Sequence, residues 1–450
     1  MFVNKRYNLL KYEGVIFLRT VRELNDFWRF TKLPAEMNIS KNDAISPEYE
    51  DASWQPVILP HTYNSEDGAG RMTAADDGNY YRGTVCYRRN LALSFEECSG
   101  KELYLEFEGA NTVAGVYING RFAGEHSGGY SAFRFDITDY IYPDKDNLIA
   151  VIVSNAPTDH IAPITDNGDF TKMGGLYRGV KLIIVDSVHI ALNDSGSCGV
   201  YITPRNISET SADISILVKL DKAETAEAKA AIYDPQGKPV TELFGRAGKD
   251  RITLSGKINR PKLWNGVNSP ALYRAEITLF YNGKPVDSIE QEFGIRSYRI
   301  DADNGFFLNG EPYLLHGVNY HQDSYESGWA MTDAQRERDY HIIGDLAVHL
   351  KTLQTFFRLY IPSMDDRLRA ILDQSLVELY FSFGITWETD VSDMKAERFP
   401  ILSDLNDSQT ELICSGQRGM ALMKVGRQAA KVRFVLSDER LEMFGRGGGR

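Results

Sequence analysis

The residues from 101 to 190 constrain the fold more than any other part of the chain. In "KELYLEFEGA", Leu103, Leu105 and Phe107 alternate with Tyr104 and Glu106, so the two sets point to opposite faces of a strand. "VAGVYING" follows and ends on Asn119-Gly120, a dipeptide suited to a two-residue hairpin turn. "AFRFDITDYI" and "NLIAVIVSN" come next, separated by the polar turn "YPDKD", and "VKLIIVDSVHI" closes the set. No long amphipathic helix interrupts these short runs. Strands of this length and spacing predict an antiparallel sandwich.

A second strand-rich region covers residues 195–297, with "SADISILVKL", "AKAAIYD", "DRITLSG", "LYRAEITLFY" and "SIEQEFGIRSYRI". "DPQGKP" is a turn between two of them. About 100 residues suffice for a second, smaller sandwich. "AETAEAKA" has some helical character and could also be read as helix.

After Phe306 the texture changes. "FFLNGEPYLLHGVNYHQD" reads as two short strand-like runs joined by Asn309-Gly310. "TDAQRERDYHIIGDLAVHL" then reads as a helix that Thr332 or Asp333 can cap. Tyr340, Ile343 and Leu346 recur at helical spacing, with Leu350 a turn beyond. A strand followed by a capped helix opens an α/β barrel or a parallel sheet.

The 450 residues are 43% hydrophobic, enough for two or three domains with their own cores. The formal charge of −12 and the scattered Lys and Arg give no electrostatic reason to bind nucleic acid or an anionic membrane. Cys86, Cys98, Cys198 and Cys414 form neither a C-x-x-C pair nor a zinc-like cluster. No apolar run is long enough to span a bilayer. The first residues, with the short patch "GVIFL", read as a leader or a first strand and lack a convincing signal-peptide cleavage site. Localisation is left open between cytoplasm and periplasm.

Several ordered segments carry a family resemblance. They are "LNDFWRF", "DASWQPVILPHTYN", "YYRGTVCYRR", "FEGANTVAGVYINGRFAGEHSGGYSAFRFDITDYI", "DFTKMGGLYRGVKLIIVD", "KLWNGVNSPALYRAEITLF" and "FGIRSYRIDADNGFFLNGEPYLLHGVNYHQD". Together they resemble glycoside hydrolase family 2, the β-galactosidase and β-glucuronidase group, with the nearer likeness to the β-galactosidases. The likeness covers residues 22–346. It implies a multidomain fold: a galactose-binding-like jelly-roll β-sandwich over residues 1–190, an immunoglobulin-like β-sandwich over 191–298, and a partial (β/α)8 TIM barrel over 299–450 that diverges after about residue 346. It also implies hydrolysis of β-glycosides with retention of configuration.

Retention needs two carboxyl groups about 5 to 5.5 Å apart, one protonating the leaving oxygen and one attacking the anomeric carbon. In the family the acid/base is a Glu directly after an Asn, late in barrel strand four, and the nucleophile is a Glu near the end of strand seven. No Asn-Glu dipeptide occurs in the 450 residues. A barrel of this kind takes about 250 residues, whereas 145 run from position 306 to 450. The glutamates after Gly384, namely Glu388, Glu397, Glu411, Glu439 and Glu442, lack the family setting. The family pattern breaks at "AVHLKTLQTFFRLY", where Arg358 and Tyr360 are echoes, returns at "FGITWETD" and "AERFPILSD", then fades. This intermittent match points to a disrupted or truncated barrel, with genuine divergence as the alternative. No catalytic residue is therefore assigned, and the chain as written is expected to be inactive. The alternative is a non-catalytic carbohydrate-binding or scaffold protein built from the two sandwiches.

The resemblance implies substrate-side roles for His321, Asp323 and Asn319 in the loop after a barrel strand. It implies supporting roles for Trp387 and Glu388, and for Asn79 and Asp169 where the sandwich approaches the site, with Asp77 beside them. His316 reads as a wall residue. Gly128-Gly129-Tyr130 and "MGGLYRG" read as turn devices. No cofactor is expected; Mg2+ or Na+ is allowed by the resemblance, but no ligand set can be assigned. The expected partner is a small carbohydrate such as a β-galactoside, with no nucleic acid and no membrane, and a homo-oligomer is compatible with the chain.

Overall fold

The computed structural model describes residues 18–33, 40–65, 80–156, 158, 161, 172–222, 225–315, 317, 320–324, 326–360, 377–381, 420–425 and 428–433. The chain divides into two compact units, Met1–Thr332 and Asp333–Arg450.

The first unit begins with ten strands: β1 (Thr20–Glu23), β2 (Trp28–Lys32), β3 (Gln55–Val57), β4 (Thr84–Leu93), β5 (Lys101–Phe107), β6 (Val113–Ile118), β7 (Arg121–Ser127), β8 (Phe133–Asp136), β9 (Lys145–Ser154) and β10 (Val180–Asp186). They form a four-stranded sheet, β1-β10-β5-β8, and a six-stranded sheet, β3-β2-β4-β9-β6-β7. All the pairings are antiparallel. The alternation in β5 decides its orientation. Leu103, Leu105 and Phe107 join the main core with Trp28, Tyr87 and Val151, while Tyr104 joins Ile183, Val185 and Leu192 on the outer face.

The apolar run of β9 has a different cause, because it is covered on both sides. Ile149, Val151 and Val153 face the main core. Leu148, Ala150 and Ile152 pack against Ala44 and Trp54, on the segment that carries the short helix α1 (Lys41–Ile45). That segment is pinned by the buried Arg88. Its guanidinium donates to Asp51 at 2.7 Å and to the carbonyls of Ala44, Ser46 and Tyr49 at 2.9 to 3.0 Å. A second short helix, α2 (Phe95–Cys98), closes the turn between β4 and β5 with a Ser94–Glu97 capping box.

The next eight strands are β11 (His189–Ile190), β12 (Val200–Arg205), β13 (Ser211–Asp221), β14 (Glu227–Tyr233), β15 (Pro239–Arg246), β16 (Arg251–Asn259), β17 (Tyr273–Tyr281) and β18 (Lys284–Phe293). β13 pairs with β11, β12 and β16, and faces a second sheet ordered β15-β14-β17-β18. Ala212, Ile214, Ile216, Val218 and Leu220 of β13 meet Tyr273, Ala275, Ile277 and Leu279 of β17 in one core. Each fully buried aliphatic side chain there contributes about 1.5–3 kcal/mol of transfer free energy. This is the immunoglobulin-like sandwich. "AKAAIYD" is a strand, because its alternate residues Ala228, Ala230 and Ile232 are needed in that core.

β19 (Tyr298–Asp301), β20 (Gly305–Leu308) and β21 (Glu311–Pro312) form a small antiparallel sheet. Asn309 and Gly310 make its turn, both with positive φ. The run after this turn is shorter than its sequence suggests. Strand pairing stops at Pro312, and Leu314 and Leu315 are exposed. Beyond Pro312, Tyr313 N–H still donates to the Phe306 carbonyl at 2.9 Å. A barrel strand needs a neighbour on each side, and the described residues supply none for Leu314 and Leu315.

In the second unit the expected helix is present as α3 (Asp333–Phe356). It leads into β22 (Phe357–Tyr360), which holds Arg358 and Tyr360, followed by β23 (Val377–Phe381), β24 (Met420–Val425) and β25 (Gln428–Arg433). β22 and β23 pair in parallel, as successive strands of a β/α repeat must. β24 and β25 add in antiparallel fashion. Among the described residues the sheet has four strands and is open, a partial barrel. No helix among them is long and apolar enough to cross a membrane.

Candidate functional site

Ser324 and residues 326–331 dock on the rim of the first sandwich. Their conformation starts from a closed turn. Ser324 N–H donates to the Gly328 carbonyl at 2.9 Å, and Gly328 N–H returns to the Ser324 carbonyl at 2.8 Å. Gly328 sits at φ +55° and is buried. A Cβ there would stand 3.0 Å from Thr62 and 3.1 Å from the Met173 sulfur, and the positive φ adds strain for any side chain, so glycine suits the close approach. Ala330 N–H then donates to Thr62 Oγ1 at 3.1 Å, and Ala330 and Met331 are buried.

This docking lays Trp329 beside two tyrosines. Its ring centroid lies 5.3 Å from that of Tyr177, edge-on, and 5.6 Å from that of Tyr130. Tyr177 is buried and donates its hydroxyl to the Gly129 carbonyl at 2.5 Å. Arg178 holds the neighbouring backbone, donating to the carbonyls of Tyr130 and Glu108 at 2.9 and 3.2 Å. Burial raises the pKa of both phenols, against a lowering by Arg178 at Tyr177. Both therefore stay neutral near pH 7 and offer ring faces and hydroxyls. Tyr130 is 52% exposed, beside the partly exposed Trp329.

The loop behind them is fixed by buried amides. Asn64 donates to the carbonyls of Tyr81 and Lys172, each at 3.3 Å, and accepts from Gly174 N–H at 3.0 Å. Asn111 donates to the Met173 carbonyl. Gly175, at φ +130°, comes within contact of the His61 backbone. "MGGLYRG" thus acts as a turn device, and what it positions is Tyr177.

Of the residues expected at a sugar site, His321 and Asp323 are exposed on the stretch leading into the Ser324–Gly328 turn. Asn319, Trp387, Glu388, Asn79 and Asp169 lie outside the described residues, as do Asp77 and His316. Trp329 and Tyr177 were missed by the sequence reading, and Tyr130 was read only as part of a turn. A signal existed in "SGWAMTD", where a tryptophan after a glycine precedes a helix start. Chemically, the arrangement can stack against the apolar C–H face of a ring and offer polar groups at its edge. Glu326 is the one glutamate between residues 320 and 332, so this wall does not hold a pair of glutamates.

Comparison with known proteins gives a consistent picture. The family model described as "Glycosyl hydrolases family 2, sugar binding domain" matches residues 21–185. The one described as "Glycosyl hydrolases family 2" matches residues 188–296. A beta-glucuronidase of Bacteroides fragilis is 37% identical over 301 residues, which is 65% of this chain and 42% of the relative. A beta-galactosidase of Thermoanaerobacter pseudethanolicus is 31% identical over 339 residues, 72% of this chain and 42% of the relative. The crystal structure of a Bacteroides uniformis beta-glucuronidase superposes with a TM-score of 0.64 at 31% identity, covering 85% of this chain and 45% of that one. The chain thus spans less than half the length of these relatives.

Proposed function

The chain belongs to glycosyl hydrolases family 2, and from that premise we propose that it is the sugar-recognising front of a retaining β-glycosidase of the β-galactosidase type. In this reading it binds a β-galactoside-class sugar at the rim of the first sandwich and does not itself hydrolyse it. The observation that carries the reading is the exposed aromatic pair of Tyr130 and Trp329, which a loop from the sandwich and the approach to the barrel build together. His321 and Asp323, exposed just before the Ser324–Gly328 turn, are the polar side chains assigned to the sugar hydroxyls. Loss of turnover is supported by the missing Asn-Glu dipeptide. Without an acid/base Glu in that setting, protonation of the leaving oxygen goes uncatalysed.

A second specificity, for a β-glucuronide, is favoured by the beta-glucuronidase names of the Bacteroides relatives. Titration with a β-galactoside and a β-glucuronide separates the two, since the preferred sugar should saturate at lower concentration. Replacement of Trp329 by Ala should weaken that binding about tenfold, the worth of one well-placed stacking contact. Unchanged affinity in that variant removes the aromatic face from the site. Translating the locus in three frames from about residue 347 separates an interrupted hydrolase from a stand-alone binding protein. Recovered barrel motifs with an Asn-Glu pair would favour the former, and an intact stop codon without them the latter.

A further inference from the structure

The junction of the two sandwiches buries a group of ligating side chains that sugar recognition does not use. His189, on β11, is fully buried. Its Nδ1 lies 2.9 Å from the Asp186 carbonyl oxygen. A carbonyl can only accept, so Nδ1 carries the proton and Nε2 is left with a bare lone pair. That Nε2 is buried and has no hydrogen-bond partner. An unsatisfied buried acceptor is uncommon in a folded protein and asks for an explanation.

The nearest charged atoms around the ring are also acceptors, Asp221 on the Nε2 side and Glu102 on the Nδ1 side. Asp221 Oδ2, at the end of β13, is 3.9 Å from Nε2. Glu102, on β5 and 6% exposed, approaches the ring with Oε2 at 3.8 Å from Nδ1. One ligand atom from each of Glu102, His189 and Asp221 falls within 4.8 Å of the others. Tyr104 supplies a single proton to this group, its hydroxyl lying 3.0 Å from Glu102 Oε2 and 3.4 Å from Asp221 Oδ2. Lys222 takes the other Glu102 oxygen, Oε1, at 2.5 Å from a largely exposed position. Two carboxylates set against one ammonium leave the group net negative, and the unpartnered Nε2 has Asp221 Oδ2 as its near neighbour.

We propose that Glu102, His189 and Asp221 bind one divalent cation of the zinc class, and that this ion clamps the first sandwich to the second. One imidazole nitrogen with two carboxylate oxygens is a donor set that zinc accepts, with water completing four-coordination. Bonds of about 2.0–2.2 Å in a tetrahedral site place ligand atoms roughly 3.4 Å apart, so the present group must contract modestly. The freedom to do so lies in Asp221, whose side chain is 29% exposed, while His189 is held by its Asp186 bond and by the Tyr104 ring at 5.5 Å. Such an outer hydrogen bond fixes the tautomer and orients the ligand. β5 and β13 belong to different sandwiches and β11 follows the link between them, so the ion would join three separate strands.

The test uses the full 450-residue chain, stripped with a chelator and then dialysed against Zn2+, Co2+, Ca2+ or Mg2+. The wild type should retain one more equivalent of Zn2+ than His189→Gln, and the Co2+ form should show ligand-field absorption that the variant lacks. Because removal of a buried histidine can impair folding, Asp221→Asn at the rim is measured beside it, with circular dichroism to verify the fold. A folded Asp221→Asn chain should bind Zn2+ at least about tenfold more weakly. Equal Zn2+ retention by the wild type and a folded Asp221→Asn, or Co2+ bands that persist in it, overturns the site. Retention of Ca2+ or Mg2+ without Zn2+ overturns the zinc-class assignment.

Discussion

Arg19 and Asp287 form a two-pronged ion pair, with Nε to Oδ1 at 3.0 Å and Nη2 to Oδ2 at 2.6 Å. The Asp287 side chain is fully buried and also accepts from the backbone N–H groups of Ile190 and Ser288, at 2.8 and 2.9 Å. The pair ties the chain just before β1 to β18 of the second sandwich. Replacing Asp287 by Ala leaves a guanidinium and a buried N–H without their acceptor. The expected loss is about 3–5 kcal/mol of unfolding free energy. Urea denaturation checks this, and a loss under about 1 kcal/mol would show that water replaces the carboxylate.

His61 predicts a pH dependence. Burial lowers its pKa from the ordinary 6.5 to about 4. Its Nδ1 lies 2.9 Å from the Tyr87 hydroxyl, and Phe30 packs edge-on at 4.9 Å. Above pH 6.5 both folded and unfolded chains hold it neutral, so it adds no slope. Between 6.5 and about 4 the unfolded chain binds a proton that the folded one refuses, and stability falls as pH falls. The full effect is on the order of 3 kcal/mol. His61→Gln should flatten that part of the profile, and an identical slope in the variant refutes the assignment.

Gly175 sets the loop that carries Tyr177. At φ +130°, a Cβ there would lie 2.5 Å from the His61 carbonyl oxygen, a backbone atom that cannot swing aside. Gly175→Ala should cost about 1–3 kcal/mol from backbone conformation alone, with the collision added. Thermal unfolding is the measurement, and a melting temperature within a degree of wild type contradicts the geometry.

Much of this architecture is legible in local sequence. Asn119-Gly120 and Asn309-Gly310 adopt the positive φ values that their hairpins require. The alternation of β13 and the two-sided apolar run of β9 predict which faces are covered. What escapes is set by contacts distant along the chain. The docking of Ala330 on Thr62 joins positions 268 residues apart, and nothing near Trp329 announces Tyr130 or Tyr177 as its neighbours. The group around His189 is equally hidden, because Glu102, His189 and Asp221 carry no recognisable spacing. Leu314 and Leu315 show the converse, since an apolar run becomes a barrel strand only where neighbouring strands exist to pair with it.

Limited proteolysis should follow the compact unit Met1–Thr332. Cleavage is expected beyond the buried Met331, because residues 328–331 are docked on the sandwich. Mass spectrometry should find a persistent fragment ending near Thr332 and containing both sandwiches. Early cutting between residues 301 and 324 would mean that the docked segment releases readily, and a resistant full-length chain would mean that the second unit is equally well packed.

This chain is expected to recognise a sugar without turning it over. The direct measurement is calorimetric titration of the 450-residue chain with a β-galactoside, alongside release of a chromophore from the corresponding chromogenic substrate. Binding should saturate and weaken about tenfold in Trp329→Ala, with release at the background rate. Robust release, abolished by a single Glu→Gln substitution, would contradict it.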